Sequence, residues 1–240
     1  MLEDLKNPRT TTGRRSGIIG RIGWILARLI AAFLFISVVQ VVIYKFVPVP
    51  VTLTMLMDDH SITKDWTPLG DIDRDMVAAV ISGEDGKFCQ HNGFDQEAMM
   101  QAFKRNQKGG RIRGGSTISQ QTAKNVFLWQ GGGYFRKGLE AWYTVLIETI
   151  WGKRRIMEVY LNVAETGIGT YGVEAGAQRY YGKSARKLSP VEAARIAAVL
   201  PLPKEREVNG AGGFTRRHGN SIARQVRVVK NDALDACVYK

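Results

Sequence analysis

The feature that most constrains this chain is an apolar run near its N-terminus. Residues 22–44, IGWILARLIAAFLFISVVQVVIY, contain one charged side chain, Arg28. A helix of this length is roughly 35 Å long at about 1.5 Å per residue, which is enough to cross a bilayer. A cleaved signal peptide is the alternative, but its apolar core would end at small residues, whereas this run continues into Lys45 and Phe46. We therefore predict an uncleaved membrane anchor over residues 22–46.

The charges that precede the run predict its orientation. Basic side chains outnumber acidic ones there: Lys6, Arg9, Arg14, Arg15 and Arg21 against Glu3 and Asp4. The positive-inside rule keeps such a segment in the cytoplasm. Residues 47–52, VPVPVT, form a stiff extended linker because each proline fixes its own φ. The prediction is a basic cytoplasmic N-terminus over residues 1–21, the anchor, and a periplasmic domain with its linker over residues 47–240.

Composition limits the partners of that domain. The chain has 240 residues, 45% hydrophobic, with 34 basic against 22 acidic side chains and a formal net charge of +12. Such a charge favours polyanionic partners, and outside the cytoplasm it favours phospholipid or a lipid-linked phosphate over nucleic acid. The two cysteines, Cys89 and Cys237, lack the spacing of a metal site, and their sequence separation leaves disulfide and free thiols equally open.

The sequence beyond the linker is patterned for helices almost throughout. Clear strand patterning is limited to PVTLTML, residues 50–56. Helices are predicted over residues 72–82, 95–106, 135–150 and 189–201. In the third of these, the predicted core-facing side consists of Phe135, Leu139, Trp142, Leu146 and Ile150. We therefore predict a mainly α domain.

Local start signals support two of these helices. Asp95 is a plausible N-cap for the second helix. In the fourth, Ser189 as N-cap, Pro190 at the first helical position and Glu192 as capping-box partner form a near-complete start signal.

Three polar segments are candidates for chemistry. GEDGKFCQHNGFD, residues 83–95, places Glu84 and Asp85 where a predicted helix stops; alone, such a segment is typical of a solvated turn. RIRGGSTISQQTAKN, residues 111–125, is a basic glycine-rich loop that runs into a helix, where backbone N–H groups favour an anion. The alternative for the second segment is an ordinary capped helix, since Thr117 and Gln120 satisfy a capping box.

The third segment is RKGLE, residues 136–140. Its spacing puts Arg136, Lys137 and Glu140 on adjoining positions of one helix surface. Taken alone, this arrangement is more typical of a surface salt bridge than of a site.

Taken together and in order, these segments resemble the family 51 glycosyltransferases, the peptidoglycan polymerases, and in particular their membrane-anchored monofunctional members. The chain carries no segment that resembles a penicillin-binding transpeptidase domain. Departures are mild, with Ser119 where Thr is usual and Tyr181 where Phe is frequent. Five blocks carry the resemblance: Glu84, Asp85, Phe88, His91, Gly93 and Asp95 in the first, GGSTISQQTAKN over 114–125, RKGLEAWYTVLIE over 136–148, KRRIMEVYLN over 153–162 and GVEAGAQRYYGKSARKLSPVEAARIAAVLPLP over 172–203.

The resemblance implies a lysozyme-like α fold in the bacterial inner membrane and a specific reaction. Lipid II would be polymerised into β-1,4 glycan by inverting transfer, with release of undecaprenyl pyrophosphate. The expected partners are lipid II, the growing glycan strand, the membrane and other cell-wall synthesis proteins. No cofactor is required, although a divalent cation, Mg²⁺ or Mn²⁺, could assist.

The same resemblance assigns roles to residues. Glu84 would be the general base, and Glu140 would lie near the departing phosphate. The substrate-binding residues would be cations that neutralise the pyrophosphate, hydrogen-bonding groups and a supporting carboxylate: Lys124, Arg136 and Lys137, then Ser116, Gln121 and Asn125, then Asp85. His91 and Asp95 would brace the loop that carries Glu84.

Two alternatives remain open. A muramidase or lytic transglycosylase on the same fold would also use a glutamate, but it would not need Lys124, Arg136 and Lys137. A non-catalytic membrane-tethered scaffold for cell-wall synthesis would need neither Glu84 nor Glu140. The presence of both sets favours the polymerase.

Overall fold

The structure is a computed structural model that describes residues 13–107, 115–210 and 212–239. The chain divides into two compact units, Met1–Gln40 and Val41–Lys240. The described part of the first unit lies in helix α1 (Gly13–Phe46). Within this helix, Gly17–Phe46 is long and apolar enough to cross a membrane, which fits the predicted single-pass anchor.

The second unit is mainly helical, as predicted. A small sheet of β1 (Thr63–Lys64), β2 (Glu165–Gly167) and β3 (Thr170–Tyr171) has the order β1-β3-β2, with β1 parallel and β2 antiparallel to β3. The helices are α2 (Leu53–Leu56), α3 (Arg74–Glu84), α4 (Gln96–Gln107), α5 (Ile118–Phe127), α6 (Gly133–Ile150), α7 (Gly152–Val163), α8 (Val173–Tyr181), α9 (Pro190–Val199), α10 (Gly213–Asn231) and α11 (Ala236–Tyr239).

Two expectations about the elements are wrong. The predicted strand in residues 50–56 is instead the short helix α2, which begins on Thr52 because its hydroxyl accepts a hydrogen bond from the Met55 amide. Phe135 does not face the core, because it lies in the first turn of α6 and its side chain is exposed. Leu146 is buried as predicted, and the other three residues of that face pack against the core.

Helix α3 occupies the centre of the second unit. Its residues from Met76 to Ile81 are completely buried, so this helix is apolar on all sides rather than on one stripe. Alanines on α3 and on the alanine-rich helix α9 let the two backbones approach closely, and α10 packs against both. The polar C-terminal end of α3 therefore lies outside the core, in the space between the surrounding helices.

The predicted start signals are present in the structure. Thr117 with Gln120 on α5, and Ser189 with Glu192 on α9, form complete capping boxes. The Asp95 carboxylate accepts a hydrogen bond of 2.8 Å from the Ala98 amide at the start of α4. Helix α3 starts later than predicted, on an N-cap at Asp73, and it includes Glu84 as its last residue instead of stopping at Gly83.

The cysteines, whose state the sequence leaves open, form a disulfide. Cys89 lies in a 3₁₀ turn after α3, and Cys237 lies in α11, with their Cα atoms 5.5 Å apart. The bond joins positions separated by 148 residues. It therefore ties the C-terminal end of the described chain to the loop that follows Glu84.

The packing of α3 against α10 predicts the effect of a substitution next to the site. A Cβ atom at Gly83 would lie 2.9 Å from Cδ1 of the buried Ile222, whereas a Cβ atom at Gly86 meets nothing within 4 Å. Gly83→Val should overpack this contact and lower the free energy of unfolding by about 1–3 kcal/mol. Denaturant titration of Gly83→Val beside the control Gly86→Val measures this, and equal stabilities would contradict the packing described.

Candidate active site

A cleft of about 1160 Å³ opens at the end of α3. One wall is formed by the end of α3 and by α5, and the other by the segment after α9 and the first turns of α10. Five of the residues predicted from sequence line it: Glu84, Ser116, Gln121, Lys124 and Asn125. The remaining four, Asp85, Arg136, Lys137 and Glu140, are connected to this wall through hydrogen bonds and charge.

Glu84 has the chemistry of a base held away from water. Its Oε2 accepts a hydrogen bond of 2.9 Å from Nε2 of Gln121, whose Oε1 in turn accepts one of 3.2 Å from the Tyr160 hydroxyl. Its Oε1 is buried and has no hydrogen-bond partner within the described residues. Burial raises the pKa of Glu84 to about 7, although Gln121 and Arg206 counteract this effect. A carboxylate with such a pKa can accept a proton near neutral pH.

Asp85 faces away from the cleft and joins α3 to α5. Its Oδ2 accepts a hydrogen bond of 3.0 Å from the Ile118 amide, the first of α5. Its two oxygens also lie 2.9 and 3.1 Å from Nε2 of His91. The sequence predicts that this helix N-terminus favours an anion, and the structure puts Asp85 itself there. Asp85 is therefore a positioning residue of this wall.

Hydrogen bonds hold the loop after α3 in place, as the resemblance implies. Nδ1 of His91 accepts a hydrogen bond of 3.2 Å from the Gly93 amide, so the neutral ring carries its proton on Nε2 and donates it to Asp85. The Gly93 carbonyl accepts a hydrogen bond of 2.6 Å from the Thr117 hydroxyl. Gly93 has a φ of +89°, and a Cβ there would lie 2.7 Å from a Thr144 methyl group, so only glycine fits.

Glu140 is the centre of a compact charged cluster. It is only 2% exposed, and its Oε2 accepts a hydrogen bond of 2.6 Å from Nη1 of Arg136 while its Oε1 binds Nζ of Lys137. Lys137 Nζ also donates to Ser116 Oγ at 3.1 Å, which connects the cluster to the cleft wall. Because both carboxylate oxygens are already paired with cations, Glu140 orients Arg136 and Lys137.

Lys124 is the cation of this group that lines the cleft. Burial lowers the pKa of Lys124, the charge of Glu140 opposes this, and Arg136 and Lys137 reinforce it. Its ammonium makes no hydrogen bond to any residue that the structure describes. With Gln121 three positions earlier on the same face of α5, Lys124 connects the surroundings of Glu84 to the charged cluster.

Comparison with known proteins decides the family. Residues 52–231 match the family described as transglycosylase. The chain belongs to this family. A protein named biosynthetic peptidoglycan transglycosylase from Caulobacter vibrioides is 49% identical over 216 residues, which cover 88% of this chain and 94% of that protein. A protein of the same name from Marinomonas sp. is 42% identical over 221 residues, covering 92% and 96%.

Membership in the transglycosylase family also identifies the architecture. The lysozyme-like α fold that the resemblance implies is confirmed. The chain is accordingly an enzyme of glycosyl transfer. Residues from the first, second, fourth and fifth of the blocks that carry the resemblance line the cleft.

The second wall of the cleft contains residues that no sequence motif indicated. Arg206, Phe214 and His218 line it opposite α5, and Nη1 of Arg206 donates a hydrogen bond of 2.7 Å to the Ala198 carbonyl. The rings of Phe214 and His218 are stacked with centroids 5.6 Å apart, and burial lowers the pKa of His218. These residues lie beyond the last of the five blocks, in a stretch without a recognisable spacing.

The far end of the same cleft has its own polar cluster, which the sequence also did not indicate. Asp58 accepts hydrogen bonds of 2.6 Å from the Tyr171 hydroxyl and 2.8 Å from Nδ1 of His60, and lies 3.0 Å from Nζ of Lys204. These bonds hold the pKa of Asp58 well below its usual range. A separate cavity of about 350 Å³ between Arg195, Glu207 and Arg216 contains no predicted site residue.

The raised pKa of Glu84 has a consequence for stability. The folded protein binds the Glu84 proton more tightly than the unfolded chain, whose ordinary pKa is near 4.5. Binding of that proton stabilises the folded protein fully below pH 4.5, and this stabilisation is lost as the pH rises through 7. Glu84→Gln should therefore stabilise the protein at pH 8, by on the order of 2 kcal/mol, and have little effect near pH 4. Thermal unfolding at both pH values measures the difference.

A control with the opposite sign is available on α9. Burial of Glu192 works against ionisation, but hydrogen bonds from Lys183 and Ser189 lower its pKa to about 2. Its contribution is present above the ordinary pKa, so Glu192→Gln should destabilise the protein at pH 8. Equal shifts for Glu84→Gln and Glu192→Gln at pH 8 would contradict this account of Glu84.

Proposed function

We propose that this chain is a peptidoglycan glycosyltransferase that polymerises lipid II into β-1,4 glycan and releases undecaprenyl pyrophosphate. One observation carries the proposal: Glu84, with an oxygen that has no partner among the described residues, lines the same cleft as Lys124, and Arg136 and Lys137 lie close enough to Lys124 to shift its pKa. The names of the relatives, biosynthetic peptidoglycan transglycosylases, agree with this choice of substrate.

In this mechanism Glu84 removes the proton from the acceptor's 4-hydroxyl group. Oε1 is enclosed and has no partner among the described residues, so a hydroxyl that displaces part of the cleft wall can donate to it. Gln121 fixes the other oxygen and so aims the carboxylate. As the proton moves to Glu84, the acceptor oxygen attacks the anomeric carbon of the α-linked donor, and inversion gives the β linkage in a single displacement.

The cations stabilise the leaving group. When the bond from the anomeric carbon to the pyrophosphate oxygen breaks, its electron pair remains on the pyrophosphate. Lys124, Arg136 and Lys137 lie where they can neutralise this charge, oriented by Glu140, and Ser116 and Asn125 supply polar contacts at the cleft surface. Preorganised charges of this kind need no rearrangement as the charge develops.

The side chains can supply the neutralising charge in this proposal. Both oxygens of Glu140 bind Arg136 and Lys137, so this carboxylate holds cations of the protein itself.

The proposed topology follows the sequence. Residues 1–21 would be cytoplasmic, residues 22–46 would span the inner membrane, and residues 47–240 would form the periplasmic domain with its linker. The family match over residues 52–231 lies within that domain. A catalytic domain held at the outer surface of the membrane can meet a substrate whose lipid tail remains in the bilayer.

A glycan-cleaving enzyme is the competing function. Such an enzyme would use Glu84 in the same position, but cleavage of finished peptidoglycan does not expel a charged pyrophosphate. The cluster of Lys124, Arg136 and Lys137 would then have no charged leaving group to stabilise. A scaffold without activity would not require the buried, unpartnered carboxylate, which costs stability.

The proposed base predicts a pH dependence. Glu84 must be ionised to accept a proton, so kcat for lipid II polymerisation should rise with pH with a midpoint near 7. Glu84→Gln should retain the fold, checked by circular dichroism, and lower kcat on the order of 10²-fold or more. Near-normal turnover by this variant would remove Glu84 from the mechanism.

The cluster distinguishes polymerisation from cleavage. Arg136→Met and Lys137→Met should each lower lipid II polymerisation on the order of 10²-fold, since each removes a preorganised charge from the leaving-group site. Arg186→Met is the control, because it removes an exposed cation whose partner is Asp71. Digestion of purified sacculi is assayed in parallel. Wild-type protein that digests sacculi and ignores lipid II, or Met variants that polymerise at the wild-type rate, would favour the cleaving enzyme.

A further inference from the structure

The C-terminal segment, residues 232–239, contacts the helix that carries Glu84 at two places. At the start of α3, Arg74 donates hydrogen bonds of 2.7 and 2.8 Å to the two oxygens of Asp235, which is completely buried. Beyond the end of α3, Cys237 forms the disulfide with Cys89. The segment therefore holds α3 at its first residue and also holds the loop that follows its last turn.

The segment is itself fixed to the body of the domain. Nη1 of Arg154 on α7 donates a hydrogen bond of 3.0 Å to the Val238 carbonyl, and Val238 is completely buried. The Cys237 amide also donates to Sγ of Cys89 at 3.3 Å. The segment that holds the loop through the disulfide is thus attached to α7 as well as to α3.

The other attachments of the loop between Glu84 and His91 are non-covalent. Asp85 and Phe88 are buried, and Lys87 forms an ion pair with Glu97, whereas Gly86 and Gln90 are exposed. The position of this loop matters, because it carries both Asp85 and His91, and Asp85 fixes the start of α5 and with it Gln121. The disulfide is the covalent attachment of this loop, one residue after Phe88.

We propose that residues 232–239 form a redox-dependent positioning clamp, in which the Cys89–Cys237 disulfide holds the loop after Glu84 in the geometry that glycan polymerisation needs. The proposal rests on the proposed function, because a periplasmic domain meets oxidising conditions in which a disulfide persists. Both cysteines are only partly buried, so a small reductant can reach them. Reduced protein would keep its fold and lose alignment between Glu84 and Gln121.

The redox step is a thiol–disulfide exchange. A dithiol gives two electrons and two protons to the protein disulfide, the bond between the sulfur atoms of Cys89 and Cys237 breaks, and two thiols form. The dithiol closes to its own cyclic disulfide. Re-oxidation by an added disulfide reverses the exchange, which allows one protein sample to be its own control.

The test compares oxidised, dithiothreitol-reduced and re-oxidised full-length protein in lipid II polymerisation. Reduction should lower kcat on the order of tenfold or more, because a small misplacement of a catalytic group has a large effect, while KM stays within about twofold. Re-oxidation should restore kcat. The double variant Cys89→Ser, Cys237→Ser should have the reduced value and be indifferent to dithiothreitol.

A second readout separates positioning from loss of structure. The groups that face Glu84 are Gln121, Asp85, Tyr160 and Arg206, and none of them is chemically altered by a dithiol. A loosened loop should admit water to Glu84 and move the midpoint of the kcat profile from near 7 towards its ordinary pKa near 4.5. Circular dichroism at the assay temperature should remain unchanged.

The outcomes are distinguishable. Reduced protein with the same kcat and the same midpoint as oxidised protein would overturn the clamp. A fall in kcat accompanied by loss of the circular dichroism signal would also overturn it, since the disulfide would then only maintain the fold. Oxidised wild-type protein that makes no glycan from lipid II would contradict the proposed function instead.

Discussion

The geometry of the candidate active site depends on the hydrogen bond from the Ile118 amide to the Asp85 carboxylate. This bond attaches the end of the central helix α3 to the start of α5, and so sets the position of Glu84 relative to Gln121 and Lys124. A carboxylate at a helix N-terminus satisfies an otherwise unpaired amide and interacts favourably with the helix dipole. His91 and the disulfide-bonded loop then stabilise the same carboxylate from outside.

The two glutamates of the candidate site have opposite environments, and this difference supports the different roles proposed for them. Glu84 is partly exposed, but one of its oxygens is enclosed and has no partner among the described residues, and burial raises its pKa to about 7, which suits proton transfer. Glu140 is more fully buried, and Arg136 and Lys137 pair with both of its oxygens. The cluster with Lys124 therefore has three cations and one carboxylate, an excess of positive charge that suits a pyrophosphate.

The sequence predicted the features that depend on local chemistry. Capping boxes, the N-terminal apolar helix and the mainly α class follow from short-range spacing, and ordered residue blocks identified Glu84, Lys124 and Glu140 as candidates. The second wall, with Arg206 and His218, could not be predicted, because tertiary packing of α10 against α9 brings it to the cleft. The direction in which Asp85 points was missed for the same reason, since its partner lies on a different helix.

The unpartnered oxygen of Glu84 has a consequence for substrate selection. A sugar hydroxyl that reaches Oε1 supplies the missing hydrogen bond through the same proton that the reaction removes, so recognition and chemistry share one contact. A ligand without a hydroxyl at that point forgoes a hydrogen bond to a charged group, which contributes about 1.5–3 kcal/mol. Under the proposed mechanism, deoxy or capped sugars would therefore bind the acceptor position less tightly and would offer no proton for Glu84 to remove.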